Sequence, residues 1–270
     1  MPPSQTHLSN RFEQAGLMLK LSGGPLAFTG NDAIVQLDIA RGKRPRDEHF
    51  RLWPGHGSNR IEVEGVDRPL NQLVLMVHEP RRRFEVALPK AAADRNPGLT
   101  VVREDKRRVW VERFTDDRKR HFLCGLDEQH AFIAQLSDAV STVRQAHGSL
   151  RPAGLLDAEA KAKASAIRQG EFFFVPLCEA DLKRVMQLGK NVPVRRKTGI
   201  AQAAQWRRAG REHLADEVWS IRASATEHYV LVRGEVRHPD HRSLRLSHWM
   251  RVFQNRETAE TRPAGVLWVD

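Results

Sequence analysis

The sequence contains little cysteine and no long apolar run. Its 270 residues include two cysteines, Cys124 and Cys178, which lie far apart in the chain, so a disulfide framework and a cysteine-based zinc module are excluded. No stretch approaches the roughly 18 consecutive apolar residues of a membrane helix, and residues 1–16 lack the apolar segment of a signal peptide. We therefore expect a cytoplasmic protein in a reducing compartment, with no membrane association.

Several motifs of nucleotide-binding proteins and hydrolases are also missing. The chain has no G-x-x-x-x-G-K-[ST] phosphate loop, no G-x-G-x-x-G after a strand, no H-E-x-x-H and no G-x-S-x-G. These absences predict that no dinucleotide cofactor is bound. A single tyrosine, Tyr229, argues against an aromatic surface that stacks single-stranded bases.

Arginine is what the sequence has in excess. Lysine and arginine number 44 against 33 aspartate and glutamate, which gives a formal net charge of +11, and all but ten of the basic residues are arginine. A charge of this size favours nucleic acid or an acidic protein as the partner. Genomic base composition also produces arginine-rich chains, so the charge by itself leaves these partners open.

The basic residues are concentrated in short segments between apolar runs. If the loops that carry them emerge at one edge of a sheet, their side chains form a stripe that follows phosphates by charge and not by base identity. If the loops emerge at opposite edges, the side chains are solvated tips. The candidates for nucleic-acid binding are Arg81, Arg82, Arg83, Lys106, Arg107, Arg108, Arg118, Lys119, Arg120, Arg195, Arg196, Lys197, Arg207 and Arg208.

Short apolar runs separated by turn residues predict an α+β fold, made mainly of antiparallel hairpins and meanders with a few short helices. Residues 70–77 and 84–88 are expected to form one hairpin with a charged tip. The change in composition at residues 148–170 favours a β-rich domain at 1–150 that ends in a short helix, and an α+β domain with an antiparallel sheet at 151–270. The sequence also permits a single domain.

The C-terminal part contains the clearest secondary-structure signals. Residues 171–177 are apolar on both faces, which predicts a buried strand, and residues 179–188 carry the periodicity of a helix that ends before Gly189. Strands are predicted at 217–223, 229–237 and 244–253. His248 lies between apolar residues of the last strand, and we expect it in the core.

One loop brings together side chains that can perform acid–base or metal chemistry. His238 and His241 flank Asp240, and two imidazoles beside a carboxylate bind a divalent metal or divide the acid and base roles of phosphodiester cleavage. The candidate catalytic residues are therefore His238, Asp240 and His241, and the first and last are also the candidate metal ligands. An ordinary surface turn contains the same residue types. Residues 121–130 hold similar residues but are expected to form a plain hairpin.

Three functions remain open on this basis. The first is a nucleic-acid-associated protein, possessing arginine loops that bind the phosphate backbone, on its own or within a nucleoprotein assembly. The second is a phosphodiesterase or nuclease that uses the histidine loop, with or without a divalent metal, and a metal cofactor is expected under this function alone. The third is a scaffold that docks an acidic protein.

Overall fold

A computed structural model of the chain describes residues 5–26, 34–42, 44, 47–93, 95–96, 98–206, 211–225 and 227–256. Elements are numbered in chain order within these residues. The helices are α1 Gln5–Gln14, α2 Lys90–Ala93, α3 Val143–Leu150, α4 Ala153–Ala162, α5 Glu179–Leu188 and α6 Ile200–Ala204. The strands are β1 Leu19–Leu21, β2 Gln36–Ala40, β3 His49–Trp53, β4 Arg60–Asp67, β5 Gln72–Glu79, β6 Arg83–Pro89, β7 Val101–Glu104, β8 Arg108–Phe114, β9 Arg118–Asp127, β10 His130–Leu136, β11 Ile167–Gln169, β12 Phe172–Pro176, β13 Arg195–Gly199, β14 Leu214–Arg222, β15 His228–His238 and β16 His241–Gln254.

The strands form four sheets. The N-terminal sheet has the order β1-β3-β2, the central sheet β10-β9-β5-β4, the arm sheet β6-β8-β7 and the C-terminal sheet β11-β12-β16-β15-β14-β13. Every pairing in the described residues is antiparallel except that of β1 with β3. The predicted α+β class, rich in antiparallel strands, is confirmed.

The central sheet is buried on both faces. Leu73, Leu75 and Phe122 pack with α1 and the N-terminal sheet, whereas Val74 and Leu123 pack against α3 on the other face. Alternate side chains of one strand therefore enter two different clusters, as the pleat requires. β5 and β9 are the two inner strands of this sheet, so each is paired on both sides as well as covered on both faces.

The hairpin predicted for residues 70–88 is wrong. β5 pairs with β4 and β9, and β6 pairs with β8, so the chain passes from the central sheet into the arm sheet between them. Pro80 lies at this crossing, and its missing N–H prevents it from donating to the ladder. The returning chain makes the same passage, with the Thr115 N–H donating to Arg82 O at 2.8 Å. The arm sheet is thus an extension of β5 and β9 with its own small core.

The C-terminal sheet also has two covered faces. One face, with Phe172, Phe174 and Val218, packs against α6. The opposite face packs Phe173 against Leu155 of α4, and Ile221 and Leu231 against Val185 of α5. The predicted buried strand and the helix at 179–188 are both confirmed.

His248 does not lie in the core, contrary to the expectation from its apolar neighbours. Strand β16 pairs Leu246 with Gly234 and Met250 with Val232, so it has two more residues than β15 over this stretch. The irregularity breaks the alternation of faces and leaves His248 exposed.

No strand of the C-terminal sheet comes from before residue 167, and no strand of the other sheets comes from after residue 136, within the described residues. The division at residues 150 and 151 stays a prediction. No helix in the described part of the chain is long and apolar enough to cross a membrane.

Candidate metal centre

Three two-residue hairpin turns meet on one side of the molecule. They connect β9 to β10 through residues 128–129, β11 to β12 through 170–171, and β15 to β16 through 239–240. Glu128 and Gly170 adopt positive φ angles of 56° and 55°, which tight hairpin turns favour. The turns bring side chains from distant parts of the sequence to one place.

The turn from β15 to β16 places two of the predicted residues face to face. His238 and His241 are the last paired residues of this hairpin, and their ring centroids lie 4.8 Å apart. Asp240 points elsewhere: its carboxylate accepts a hydrogen bond from Arg211 at 3.4 Å, and its backbone N–H donates to His238 Nδ1 at 3.2 Å. The two predicted histidines are therefore brought together, while the carboxylate is paired with an arginine.

His213 is a third histidine in the same place. It directly precedes β14, and because Leu214 pairs with Arg237, His213 lies beside His238. The two rings stack with centroids 4.2 Å apart and planes at 19°, and the ring of His241 lies 5.6 Å from that of His213. Phe172 packs edge-on against the far side of His213 at 5.0 Å.

His213 is buried, and its ring makes no hydrogen bond within the described residues. Its side chain is 1% exposed, neither Nδ1 nor Nε2 has a hydrogen-bond partner there, and Oε1 of Glu171 lies 3.6 Å from Nδ1, beyond hydrogen-bond distance. A buried polar group without a partner costs about 1–3 kcal/mol, so such groups are rare in folded proteins. A buried ring nitrogen that makes no hydrogen bond and lies beside two other histidines is available to bind a metal ion.

The geometry of the cluster fits one transition-metal ion. Ligand nitrogens of the three histidines lie within 4.8 Å of one another, and no other group of this kind occurs in the described residues. Nitrogens bound about 2.1 Å from a tetrahedral ion are about 3.4 Å apart, so the rings need to move by about an ångström. Gly170 backs the cluster, because a Cβ there would lie 2.9 Å from His241 Nε2 and 3.0 Å from His213 Cε1.

The local electrostatics keep two of the ligands unprotonated. Burial, reinforced by the neighbouring histidines, lowers the pKa of His238 to about 4. Burial also lowers the pKa of His241, although Asp127 and Glu128 oppose this shift. Both imidazoles are therefore neutral at pH 7, which is the form that binds a metal.

Glu171 adds a carboxylate to the cluster. It follows Gly170 in the turn between β11 and β12, and its Oε1 lies 3.6 Å from His213 Nδ1. The side chain is 21% exposed, so it is accessible to water while facing the histidines. Its position suits either a fourth ligand or a base that accepts a proton from a bound water.

The turn between β9 and β10 holds His241 in position from the N-terminal half of the chain. Both carboxylate oxygens of Glu128 accept the backbone N–H of Arg242, at 3.0 and 2.9 Å. On the other side, the Gln169 side-chain amide donates to Arg242 O at 2.6 Å. The residue next to His241 is thus fixed through its N–H and its C=O, as outer-shell groups fix metal-binding histidines.

Replacing Glu128 is expected to weaken metal binding without removing a ligand. The Glu128→Gln variant loses the charge and one of the two acceptor oxygens, so we expect the zinc affinity to fall about 10- to 100-fold. Isothermal titration with Zn²⁺ measures the change, and Gln129→Ala, in the same turn and exposed, is the control. Equal affinities for the two variants would contradict the assigned role of Glu128.

The basic candidates lie in three separate regions. Residues 81–83 and 118–119 meet at the base of the arm sheet, where Glu79 pairs with Arg118 and Arg83 pairs with Phe114. Residues 106–108 lie at its other end, because Arg108 pairs with Pro89, six steps or about 20 Å along β6. Residues 195–197 occupy β13, at the edge of the C-terminal sheet.

Three of the basic candidates need separate comment. Arg120 is not available to a ligand: its side chain is 7% exposed and donates to Glu79 at 2.8 Å, because β9 is buried at this point. Arg207 and Arg208 lie outside the described residues. Trp206, which separates them from α6, packs inward against Phe172 with the ring centroids 6.1 Å apart.

Comparison with known proteins adds nothing to this geometry. No family model, curated protein or solved structure matches this chain. The function therefore has to be inferred from the three histidines and their surroundings.

Sequence reasoning found His238 and His241 but missed His213, Glu171 and Glu128. His213 stands immediately before Leu214, the first residue of β14, so an earlier start of the predicted strand would have placed it beside His238. The predicted strand began at residue 217, three residues late, and this hid the register with His238. Nothing in the local sequence identifies Glu128 or Glu171 as functional residues. Each lies near the histidines only because the three hairpin turns come together in the folded protein.

Proposed function

We propose that this chain is a metal-dependent phosphodiesterase that acts on nucleic acid. The observation that carries the proposal is the buried side chain of His213, whose ring nitrogens have no hydrogen-bond partner in the described part of the chain and lie beside two neutral histidines. Imidazole ligands favour zinc and its neighbours in the first transition series. Three protein ligands with a further position left for water are typical of catalytic zinc sites and not of structural ones.

The surroundings of the cluster support hydrolysis. Zinc held by three histidines lowers the pKa of a bound water to about 7, which supplies a hydroxide nucleophile at neutral pH. Glu171 is placed to accept the proton of that water, because its carboxylate faces His213 and remains partly exposed. Gly170 keeps the approach to His213 and His241 free of a side chain.

The charge distribution supports nucleic acid as the substrate. Residues 81–120 contain 13 lysines and arginines against seven acidic residues, which is six of the eleven net positive charges of the chain. Lys106, Arg107 and Arg108 are exposed at the end of the arm sheet. Arg242, next to His241, is also exposed, and its side chain forms no ion pair within the described residues, since Glu128 accepts its backbone N–H. Such side chains favour a polyanion over an electroneutral substrate.

The proposal is tested by cleavage with the metal controlled. Chelator-treated protein is given Zn²⁺, Mn²⁺ or Mg²⁺ and mixed with labelled single- and double-stranded DNA and RNA, and with bis(p-nitrophenyl) phosphate as a small diester. We expect metal-dependent shortening of at least one nucleic acid. Glu171→Gln is expected to lower kcat by about 10²-fold or more with an unchanged metal content, since it removes a general base.

The matched control is Glu179→Gln, which changes an exposed glutamate whose one ion pair among the described residues is with Lys183 on the surface of α5. Loss of activity in both variants would show that Glu171 has no particular role.

Tight, salt-dependent binding without cleavage under any metal would overturn catalysis and leave nucleic-acid association alone. A complex with an acidic protein that survives nuclease treatment, together with no binding of nucleic acid, would favour the scaffold.

A further inference from the structure

A polar cleft lies on the C-terminal sheet, away from the three histidines. Strand β13 ends its pairing with β14 at Arg195 and Val218, whereas β14 continues to Arg222. The end of β14 that β13 leaves uncovered, the chain before β13 and the end of α6 enclose a cleft of about 210 Å³. Ser220 lies seven residues after His213, which is about 23 Å along an extended strand. The cleft is therefore separate from the metal centre.

The cleft is positively charged. Arg195 and Arg222 line it, both are exposed, and no aspartate or glutamate is among its lining residues. Neither arginine has a carboxylate partner in the described residues, whereas Arg233 of the same sheet is paired with Glu217 at 2.6 Å. Two unpaired guanidinium groups in one concave place favour an anionic ligand, because each presents a planar set of donors.

A hydroxyl and an imidazole line the cleft between the arginines. Ser220 Oγ and His228 Nε2 form a hydrogen bond of 2.9 Å, and both side chains are half-buried. Burial, and then the charge of Arg222, lower the pKa of His228, so the ring is neutral at pH 7. The pair therefore offers polar hydrogens to ligand oxygens without adding another fixed charge.

The size of the cleft limits the ligand. Sites for whole drug-sized ligands have volumes of about 300–1,000 Å³, and this cleft is smaller. It accommodates a compact anionic group and leaves the remainder of a larger ligand outside. We infer that the cleft between Arg195 and Arg222 binds the phosphate group of a small phosphate monoester.

The test uses chelator-treated protein, so that the metal centre does not bind the phosphate. The result therefore depends on the cleft alone and not on whether the proposed enzyme activity is correct. Inorganic phosphate, adenosine monophosphate and adenosine are titrated and followed calorimetrically. The first two are expected to bind and adenosine is not. Arg195→Gln and Arg222→Gln are each expected to weaken binding of the monophosphate by about tenfold, the loss of one charged hydrogen-bonded contact.

Arg196→Gln is the matched control, because Arg196 is equally exposed on β13 but does not line the cleft. Proton–nitrogen spectra of the imidazoles report on the site directly, and His228 is expected to shift on titration. Equal weakening by all three substitutions would show attraction by diffuse charge and overturn the proposal. No binding at millimolar phosphate, or binding of adenosine as tight as that of its monophosphate, would also overturn it.

Discussion

His213→Gln is expected to weaken zinc binding about 10²-fold while the protein remains folded. Four-ligand zinc sites bind with about 10–16 kcal/mol, so one ligand contributes about 3 kcal/mol, or a factor of about 10² in affinity. The substitution breaks no hydrogen bond of the ring among the described residues, so the change in zinc affinity reports on the lost ligand. Competition with a chromophoric chelator measures the affinity, and one zinc per chain is expected for the unaltered protein.

The buried position of His213 requires further variants. His238→Gln and His241→Gln alter half-buried rings at the ends of a hairpin, and the same loss of affinity is expected from each. His248→Gln changes an exposed histidine of the same sheet and is expected to leave zinc affinity unchanged. If the three variants of the cluster fold and bind zinc as tightly as His248→Gln does, the metal centre is wrong.

Local sequence patterns predicted the helices and strands better than they predicted which strands pair with one another. The helix at 179–188 has the bounds expected from its periodicity and from Gly189, and the short helix expected at the end of residues 1–150 is α3. These signals are local, since they depend on side chains within one or two turns of helix. The apolar runs on both sides of Pro80 were also recognised as strands, yet their assignment to one hairpin was wrong.

The site could be predicted in part for the same reason. His238 and His241 lie three residues apart, so one turn brings them together in any hairpin of this length. His213 joins them only through the register of β14 with β15, and Glu128 only through contact between two halves of the chain. Long-range pairing of this kind is set by tertiary packing, which a single sequence does not display.

Replacing Arg120 is expected to have a large effect on the stability of the protein. The sequence analysis and the structure make opposite predictions for this residue. As a phosphate contact, Arg120 could be replaced with little effect on stability. In the structure its guanidinium is bonded to Glu79, and both side chains are 7% exposed. Removing one partner of a buried pair leaves the other charge uncompensated, so Arg120→Gln is expected to lower the free energy of unfolding by about 3–5 kcal/mol.

Urea denaturation followed by circular dichroism measures this loss, and Lys119→Gln is the control. Lys119 is the preceding residue of β9 and is exposed, so its replacement is expected to change stability by less than about 0.5 kcal/mol. The double variant Glu79→Gln with Arg120→Met removes both charges. The Val35 N–H donates to Glu79 at 2.7 Å, and the side-chain oxygen of the glutamine that replaces Glu79 still accepts this hydrogen bond. We expect it to recover most of the lost stability, because the cost lies in the unpaired charge and not in the missing bond. The opposite outcome is that Arg120→Gln is as stable as Lys119→Gln but binds nucleic acid less tightly. It would contradict the structural role of Arg120 and indicate that this residue contacts phosphate.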